Sequence, residues 1–390
     1  MGRVWSNRNF LTAFIAAVFF YSSLQFLIPV LPKYAMFRGA QPAAIGMIIA
    51  AVPIMALVFR LRVGHCVDAQ GRKPWLLVGS GMFALAPFMF LMSGTVTGIV
   101  FARMWMGLAI AAFTTAGAAL CVDLSPPESR GEAVGMFEGS QSLAMVFMPL
   151  LGGMADAAWG FTPAFIIAGG LGFVGFLLLT LVTETRCPAA RLERGGPSVL
   201  SGGVLLATLT YACAAFSFGT MVSYLPLHLG VRGVEQAGLF FSTTAVTLLA
   251  SRVLGGRIAD RLGPAFVIKS SLAMLAWALF LLANVSTLAG LLGIAAVYGW
   301  SYGASFPALA AVVAAVTPPD KRGRAFAAFT GSLDVGIAGG ALVGGIAARP
   351  QNYSNVYLVA AVAAAVGLAL FTAGWRGQGS RVSKEGVSSA

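Results

Sequence analysis

Charged residues are scarce. They make up 10% of the 390 residues, where a soluble domain carries about a quarter. A chain this poor in charge cannot cover a globule in water with polar groups, which excludes a soluble enzyme, a nucleic-acid module and a disordered tail. Acids are scarcer than bases, 13 against 25. The net charge of +12 forms no basic arm or face, because Lys and Arg fall in short clusters between apolar runs, so nucleic acid is not a partner. Histidine is nearly absent, with His65 and His228 far apart, and the four cysteines (Cys66, Cys121, Cys187, Cys213) form no CxxC pair. No metal-ligand spacing results. A phosphate-binding GxxxxGK(S/T) loop is also missing, so no cofactor is implied.

What the chain has in abundance is apolar length: 58% hydrophobic residues and a mean hydropathy of +0.86. A bilayer core about 30 Å thick is crossed by roughly 20 apolar residues in a helix. Runs of that kind occupy 9–31, 42–62, 74–93, 96–121, 131–153 and 162–183, then 200–224, 234–254, 264–284, 287–315, 323–347 and 355–375. They are continuous, not alternating as in barrel strands. The fold class predicted is an all-α polytopic membrane protein with twelve transmembrane helices. The first run is too long for a signal peptide and ends in Pro29-Val30-Leu31-Pro32-Lys33 without a small-residue cleavage site, so it reads as a retained span.

With both termini inside, 20 Lys/Arg lie on the inner side and four (Lys33, Arg38, Arg232, Arg349) outside, with Arg103 within a run. That bias satisfies the positive-inside rule for an even number of spans. The expected location is a bacterial inner membrane, with cytoplasmic termini.

The chain also repeats. Shifted by 192 residues, Gly64, Asp68 and Gly71 fall on Gly256, Asp260 and Gly263, and Arg60 and Gly107 fall on Arg252 and Gly299. Arg130-Gly131, Gly139-Ser140 and Gly152-Gly153 fall on Arg322-Gly323, Gly331-Ser332 and Gly344-Gly345. Charged and turn residues at one constant offset outweigh chance apolar matches. Each half holds six runs and inserts the same way up, the architecture of an alternating-access transporter. The expected organisation is a six-helix bundle at 1–183, a cytoplasmic connector at 184–199, a second bundle at 200–376 and a tail at 377–390.

The loop after the second run, Gly64-His65-Cys66-Val67-Asp68-Ala69-Gln70-Gly71-Arg72-Lys73, resembles the signature GxxxD(R/K)xGR(R/K) of the major facilitator superfamily. The fourth run carries Arg103-Met104-Trp105-Met106-Gly107 with Ala111, similar to that family's RxxQGxxxA, with methionine for glutamine. The fifth carries Gly135, Ala144, Met148-Pro149 and Gly152-Gly153, similar to the antiporter motif G(x8)G(x3)GP(x2)GG with two glycines replaced. From about residue 9 to 375 the chain looks like a twelve-helix member of the branch of proton-driven drug and metabolite antiporters. Glycine in the signature suits close packing and a sharp turn, and Asp68 suits a helix N-terminus. The resemblance implies gates at Gly64, Asp68, Gly71, Arg72 and Arg130, mirrored by Asp260, Arg261 and Arg322, with Asp68 paired to Arg130 and Asp260 to Arg322. It also gives Arg103 a part in proton coupling.

Two acids lie within runs, Glu138 in the fifth and Asp334 in the eleventh. A protonatable carboxyl facing a cavity is what gradient coupling requires, so both are candidate proton carriers beside Arg103. Tyr21, Gln25, Gln141, Tyr298, Trp300 and Tyr302 are the polar and aromatic candidates for a substrate cavity. The eleventh run holds Gly331, Gly336, Gly339, Gly340, Gly344 and Gly345, a small-residue face suited to sliding against the second run across the two halves. The function expected is proton-driven efflux of a small organic molecule, drug-like or an endogenous metabolite such as a siderophore, by a monomer. Proton-coupled uptake of a sugar, organic acid or amino acid is the alternative. An intramembrane enzyme would need a catalytic constellation at cavity depth, and none is present.

Overall fold

The computed structural model describes residues 7–125, 130–185, 201–234, 237–318, 322–349 and 351–387. The chain is helical almost throughout. In order come α1 (Arg8–Phe26), α2 (Val30–Phe37), α3 (Pro42–Gln70), α4 (Arg72–Met92), α5 (Val96–Asp123), α6 (Arg130–Trp159) and α7 (Phe161–Thr180). A second series follows: α8 (Gly202–Val231), α9 (Ala237–Leu262), α10 (Pro264–Leu282), α11 (Leu288–Val316), α12 (Arg322–Ala347) and α13 (Ser354–Val387). The first run holds α1 and α2, so α3 to α13 hold the second to the twelfth. Among the described residues, eleven helices are long and apolar enough to cross a membrane. The helix α9 stands at the eighth place, 26 residues long and with Arg252 and Arg261 in its second half. The isolated Arg349–Asn352 bridge is the single piece of β pairing among those residues.

Several boundaries differ from those of the apolar runs. The first run breaks after Phe26 and resumes at Val30, because Pro29 has no N–H to give the helix ladder, while Pro32 fits a first turn that needs none. Residues 64–70 are helical, not a loop. The helix α3 continues past its apolar part until Gly71, whose φ of +107° ends it in a conformation that a side chain resists. Beyond the apolar stretch, water can satisfy what hydrocarbon cannot, so helix length there is set by the stop residue. The helix α13 likewise runs on to Val387.

The chain clusters into two compact units, Met1–Arg194 with Glu235–Ser242, and Gly195–Val234 with Thr243–Ala390. Helix pairing within the second unit repeats that of the first at the offset of 192. In the first unit α4 packs on α5, α1 on α6 and on α7, and α4 on α7. In the second, α10 packs on α11, α8 on α12 and on α13, and α10 on α13.

The glycine face of the eleventh run is used inside its own unit. A Cβ on Gly336 would stand 2.5 Å from the Ala212 carbonyl oxygen, and one on Gly340 would run into the carbonyl of Phe216, both on α8. From the other side Gly219 of α8 meets the carbonyl of Ile337. Gly336 and Gly340 thus close the α8–α12 seam. Neighbouring Gly339 makes a built-in control, since its Cβ would reach only the Phe216 ring, at 3.7 Å. Gly340→Ala should therefore destabilise by about 1–3 kcal/mol through overpacking, and Gly339→Ala should not. Thermal unfolding of the two variants in detergent checks this.

Candidate functional site

At the end of the first unit that carries residues 64–73, four helix termini meet. Arg72, the first residue of α4, is nearly buried. Its Nε donates to Asp123 Oδ2 at 2.9 Å, and its Nη1 donates to the Val67 carbonyl at 3.1 Å and to Asp68 Oδ1 at 3.3 Å. The carboxylate of Glu184 accepts from the backbone N–H of Arg72 at 2.8 Å and of Lys73 at 3.1 Å. Those are orphan donors of the α4 N-terminus, and an anion there is favoured by the helix dipole as well. Glu184 also fills the space a Cβ on Gly71 would need, its carboxylate lying 2.8 Å from that position. Lys73 Nζ donates to the Thr180 carbonyl at 2.7 Å, capping the C-terminus of α7, and Thr185 Oγ1 donates to Asp123 at 3.4 Å.

The anion at the helix N-terminus is thus Glu184. Asp68 is exposed at the end of α3 and pairs with Arg72 one turn on. Gly64 lies within α3, 4.0 Å from Thr115 Cγ2 at its would-be Cβ, so the sharp turn belongs to Gly71. The side chains of Arg130, Asp260 and Arg322 lie outside the described residues, and the pairs Asp68–Arg130 and Asp260–Arg322 with them. Arg261 is exposed.

The second unit builds the matching corner differently. Gly263 has a φ of +83°, close to the backbone of Gly71, but the next residue is Pro264 at the first position of α10. Proline lacks the orphan N–H and presets the helical φ, so this start needs neither an arginine nor a carboxylate clamp.

Within the spans, Arg103 is buried, with 7% exposure. Its Nε donates to the Ile48 carbonyl at 3.1 Å, its Nη2 lies 3.5 Å from the Ile49 carbonyl and its Nη1 3.8 Å from Met106 Sδ. All three acceptors are neutral, so the fold does not bring Arg103 to Glu138. Glu138 is exposed on α6, in electrostatic reach of the hydroxyl of Tyr21, as is Arg60. Gln25, one turn along α1 from Tyr21, is 1% exposed, and its Oε1 is buried without a hydrogen-bond partner. A buried carbonyl oxygen left open costs about 1–3 kcal/mol, which marks the spot as a place for a ligand or water. Gln141 is half-buried on α6.

Of the antiporter-motif residues, Gly152 abuts the carbonyl of Phe26 at the break in the first span, and a Cβ on Gly153 would stand 4.0 Å from Pro29. Pro149 lies inside α6, and its carbonyl oxygen would be 2.9 Å from a Cβ on Gly238. Gly135 has nothing within 4 Å. At the far end of the unit Lys33 Nζ meets Asp156 Oδ2 at 3.3 Å, tying α2 to α6.

In the second unit the expected cavity tyrosines are packed among aromatics. Tyr298 is fully buried, with its hydroxyl 3.1 Å from Ser217 Oγ and its ring stacked on Tyr302 at 5.9 Å. Tyr302 also stacks on Phe218 and Tyr211. Arg252 is in electrostatic reach of the Tyr211 and Tyr302 hydroxyls. Trp300 is half-buried on α11, and so is Asp334 on α12.

Sequence reasoning passed over Asp123 and Glu184, the two acids that hold the signature loop. Neither has an acidic counterpart at the offset, where Ala315 and Arg376 stand, so a comparison of the halves could not raise them. Arg72→Met and Asp123→Asn should each lower stability. The double variant should lose little more than the worse single, a coupling of about 0.5–3 kcal/mol, read by thermal unfolding of the purified chain.

The model of the Major Facilitator Superfamily matches residues 13–298 and 234–387. An uncharacterised MFS-type transporter of Methanocaldococcus jannaschii is 22% identical over 349 residues, covering 86% of this chain and 90% of that one. A staphylopine export protein of Staphylococcus aureus is 23% identical over 362 residues, covering 86% and 89%. The crystal structure of a mutant of the nucleoside transporter NupG superposes with a TM-score of 0.79 at 14% identity, over 94% of this chain and 100% of that one. The two repeated six-helix units, the signature residues Asp68–Arg72 and this match along the chain lead to one assignment: the protein belongs to the Major Facilitator Superfamily and is a multi-pass membrane transporter, not an enzyme.

Proposed function

We propose that the protein exports a small organic molecule against its gradient, driven by protons, by alternating access. The substrate class is a drug-like compound or a metabolite the cell makes itself, such as a siderophore. The observation that carries this reading is Glu138, a carboxylate within a span that is exposed and in electrostatic reach of the Tyr21 hydroxyl. A carboxylate at membrane depth costs at least ~2.5 kcal/mol to insert, and it earns that cost by taking up and releasing a proton. Tyr21 and Gln25 are the substrate-facing groups beside it, the open Gln25 oxygen accepting a donor from the substrate. Asp334 is the second carrier, on the pseudo-equivalent helix. Export over uptake is supported by the partial antiporter motif of α6 and by the names of two relatives, the staphylopine export protein and a probable sugar efflux transporter of Mannheimia succiniciproducens.

In the proposed cycle a proton arriving from outside neutralises Glu138 or Asp334 and loosens the site, and the halves rock. The signature loop with Asp68, Arg72 and Arg130, and its counterpart with Asp260, Arg261 and Arg322, open and close the inner side. In this reading both termini lie in the cytoplasm of a bacterial cell, as the inner excess of Lys and Arg favours, and one chain suffices.

Small molecules are measured inside cells and in the medium, with and without the protein. A compound that builds up inside and vanishes from the medium on loss of the protein names the substrate of an exporter. Slower depletion of a nutrient from the medium assigns uptake instead. Glu138→Gln and Asp334→Asn should then each reduce gradient-driven transport at least about tenfold while leaving the folded protein in the membrane. Unchanged transport in both removes the carboxylates from the mechanism.

A further inference from the structure

Arg103 is a full charge buried within the membrane region, and its contacts are two backbone carbonyls and a thioether. Those carbonyls, of Ile48 and Ile49, lie in the turn of α3 that precedes Pro53, a proline inside the helix. In an unbroken helix the N–H of residue 53 would donate to the carbonyl of Ile49. Proline has no N–H, and its ring also pushes that carbonyl aside. In water the freed Ile49 oxygen would be solvated; Ile49 is 3% exposed, so a protein group must satisfy it, and Arg103 Nη2 is the donor at 3.5 Å. The Ile48 oxygen, 3.1 Å from Nε, keeps the N–H of residue 52 as its partner in the ladder and takes the arginine as a second donor. One turn along α5 from Arg103, a Cβ on Gly107 would stand 2.5 Å from the Val52 carbonyl oxygen and 2.7 Å from Met55 Cβ. Arg103 and Gly107 therefore address the same proline-containing turns, one by hydrogen bonds and the other by closeness.

The second unit contains the control. At the offset of 192, Gly107 becomes Gly299, which abuts the Thr244 carbonyl and the Thr247 hydroxyl, the counterparts of Val52 and Met55. The backbone seam is the same. Pro53, however, becomes Ala245, and Arg103 becomes Ala295. Where the helix carries no proline the arginine is absent, and the Ala295 carbonyl instead accepts from Thr244 Oγ1 at 3.3 Å.

We infer that Arg103 is a positioning residue for the proline turn inside α3: it is present to satisfy the Ile49 carbonyl that Pro53 leaves without a donor and so to fix the course of the helix arm that ends in Asp68. This goes beyond the proposed coupling mechanism and does not depend on the direction of transport or on which acid carries the proton.

The test uses the full chain in detergent, with thermal unfolding as readout and Met or Lys at position 103 in both the Pro53 and Pro53→Ala backgrounds. With Pro53 in place, Arg103→Met should lower the melting temperature by about 3–6 °C, as for a buried acceptor left open. Arg103→Lys, which keeps a donor, should restore part of that loss. In the Pro53→Ala background the loss from Arg103→Met should shrink, because residue 53 then supplies its own N–H to the Ile49 carbonyl, while the contact with Ile48 is lost in both backgrounds. If Arg103→Met does not accumulate, recovery of folded protein on adding Pro53→Ala supports the inference, and equal absence overturns it. An equal loss in both backgrounds, or no rescue by lysine, also overturns it and returns the charge to a direct part in the transport cycle.

Discussion

Hydrocarbon offers no partner to a backbone N–H or carbonyl, and most of this fold follows from that one constraint. The chain crosses as helices because only a helix satisfies its own backbone within a single segment. Hydroxyls inside the spans turn back onto their own helices, as Ser223 does to Gly219 at 2.7 Å and Ser301 to Val297 at 2.7 Å. Each interruption then needs a repair from elsewhere in the chain. At Pro53 the repair comes from Arg103; at the α4 start it comes from Glu184. With no apolar gain on leaving lipid for protein, helices associate by close approach of small residues, and Gly336 and Gly340 against α8 are the clearest case.

The two units share a backbone plan more faithfully than they share chemistry. Gly71 and Gly263 make the same turn at positive φ, and Gly107 and Gly299 make the same close approach. Around those fixed points the side chains diverge. One unit starts its third span with a buried guanidinium between carboxylates, the other with a proline ring. A duplicated path constrains where two backbones meet; whatever satisfies the exposed groups nearby is acceptable to the fold.

That difference explains what could be read in advance. The number and order of helices were legible because apolar run length is set by the bilayer, and the repeat was legible because turn residues recur at one offset. The helical state of residues 64–70 was not, since outside the apolar layer nothing in the composition separates helix from loop until Gly71 stops it. Asp123 and Glu184 were illegible for a related reason: their partners come from 51 and 112 positions away, and neither acid recurs in the other half. Tyr298 and Tyr302 carry the composition of a cavity wall, and their stacking among aromatics could not be read in advance, because a stacked tyrosine with a satisfied hydroxyl fills space as well as phenylalanine. Arg103 could be recognised as exceptional but not explained, as its carbonyl partners are not coded by side-chain identity.

Glu184 has one more consequence, for the order of assembly. It stands at the end of the last span of the first half, and its carboxylate grips the start of the third span. Every group in that corner, from Asn7 against Leu124 to Lys73 against Thr180, is already synthesised when residue 185 leaves the ribosome. The first half can therefore be sealed at this end while the second is still being translated.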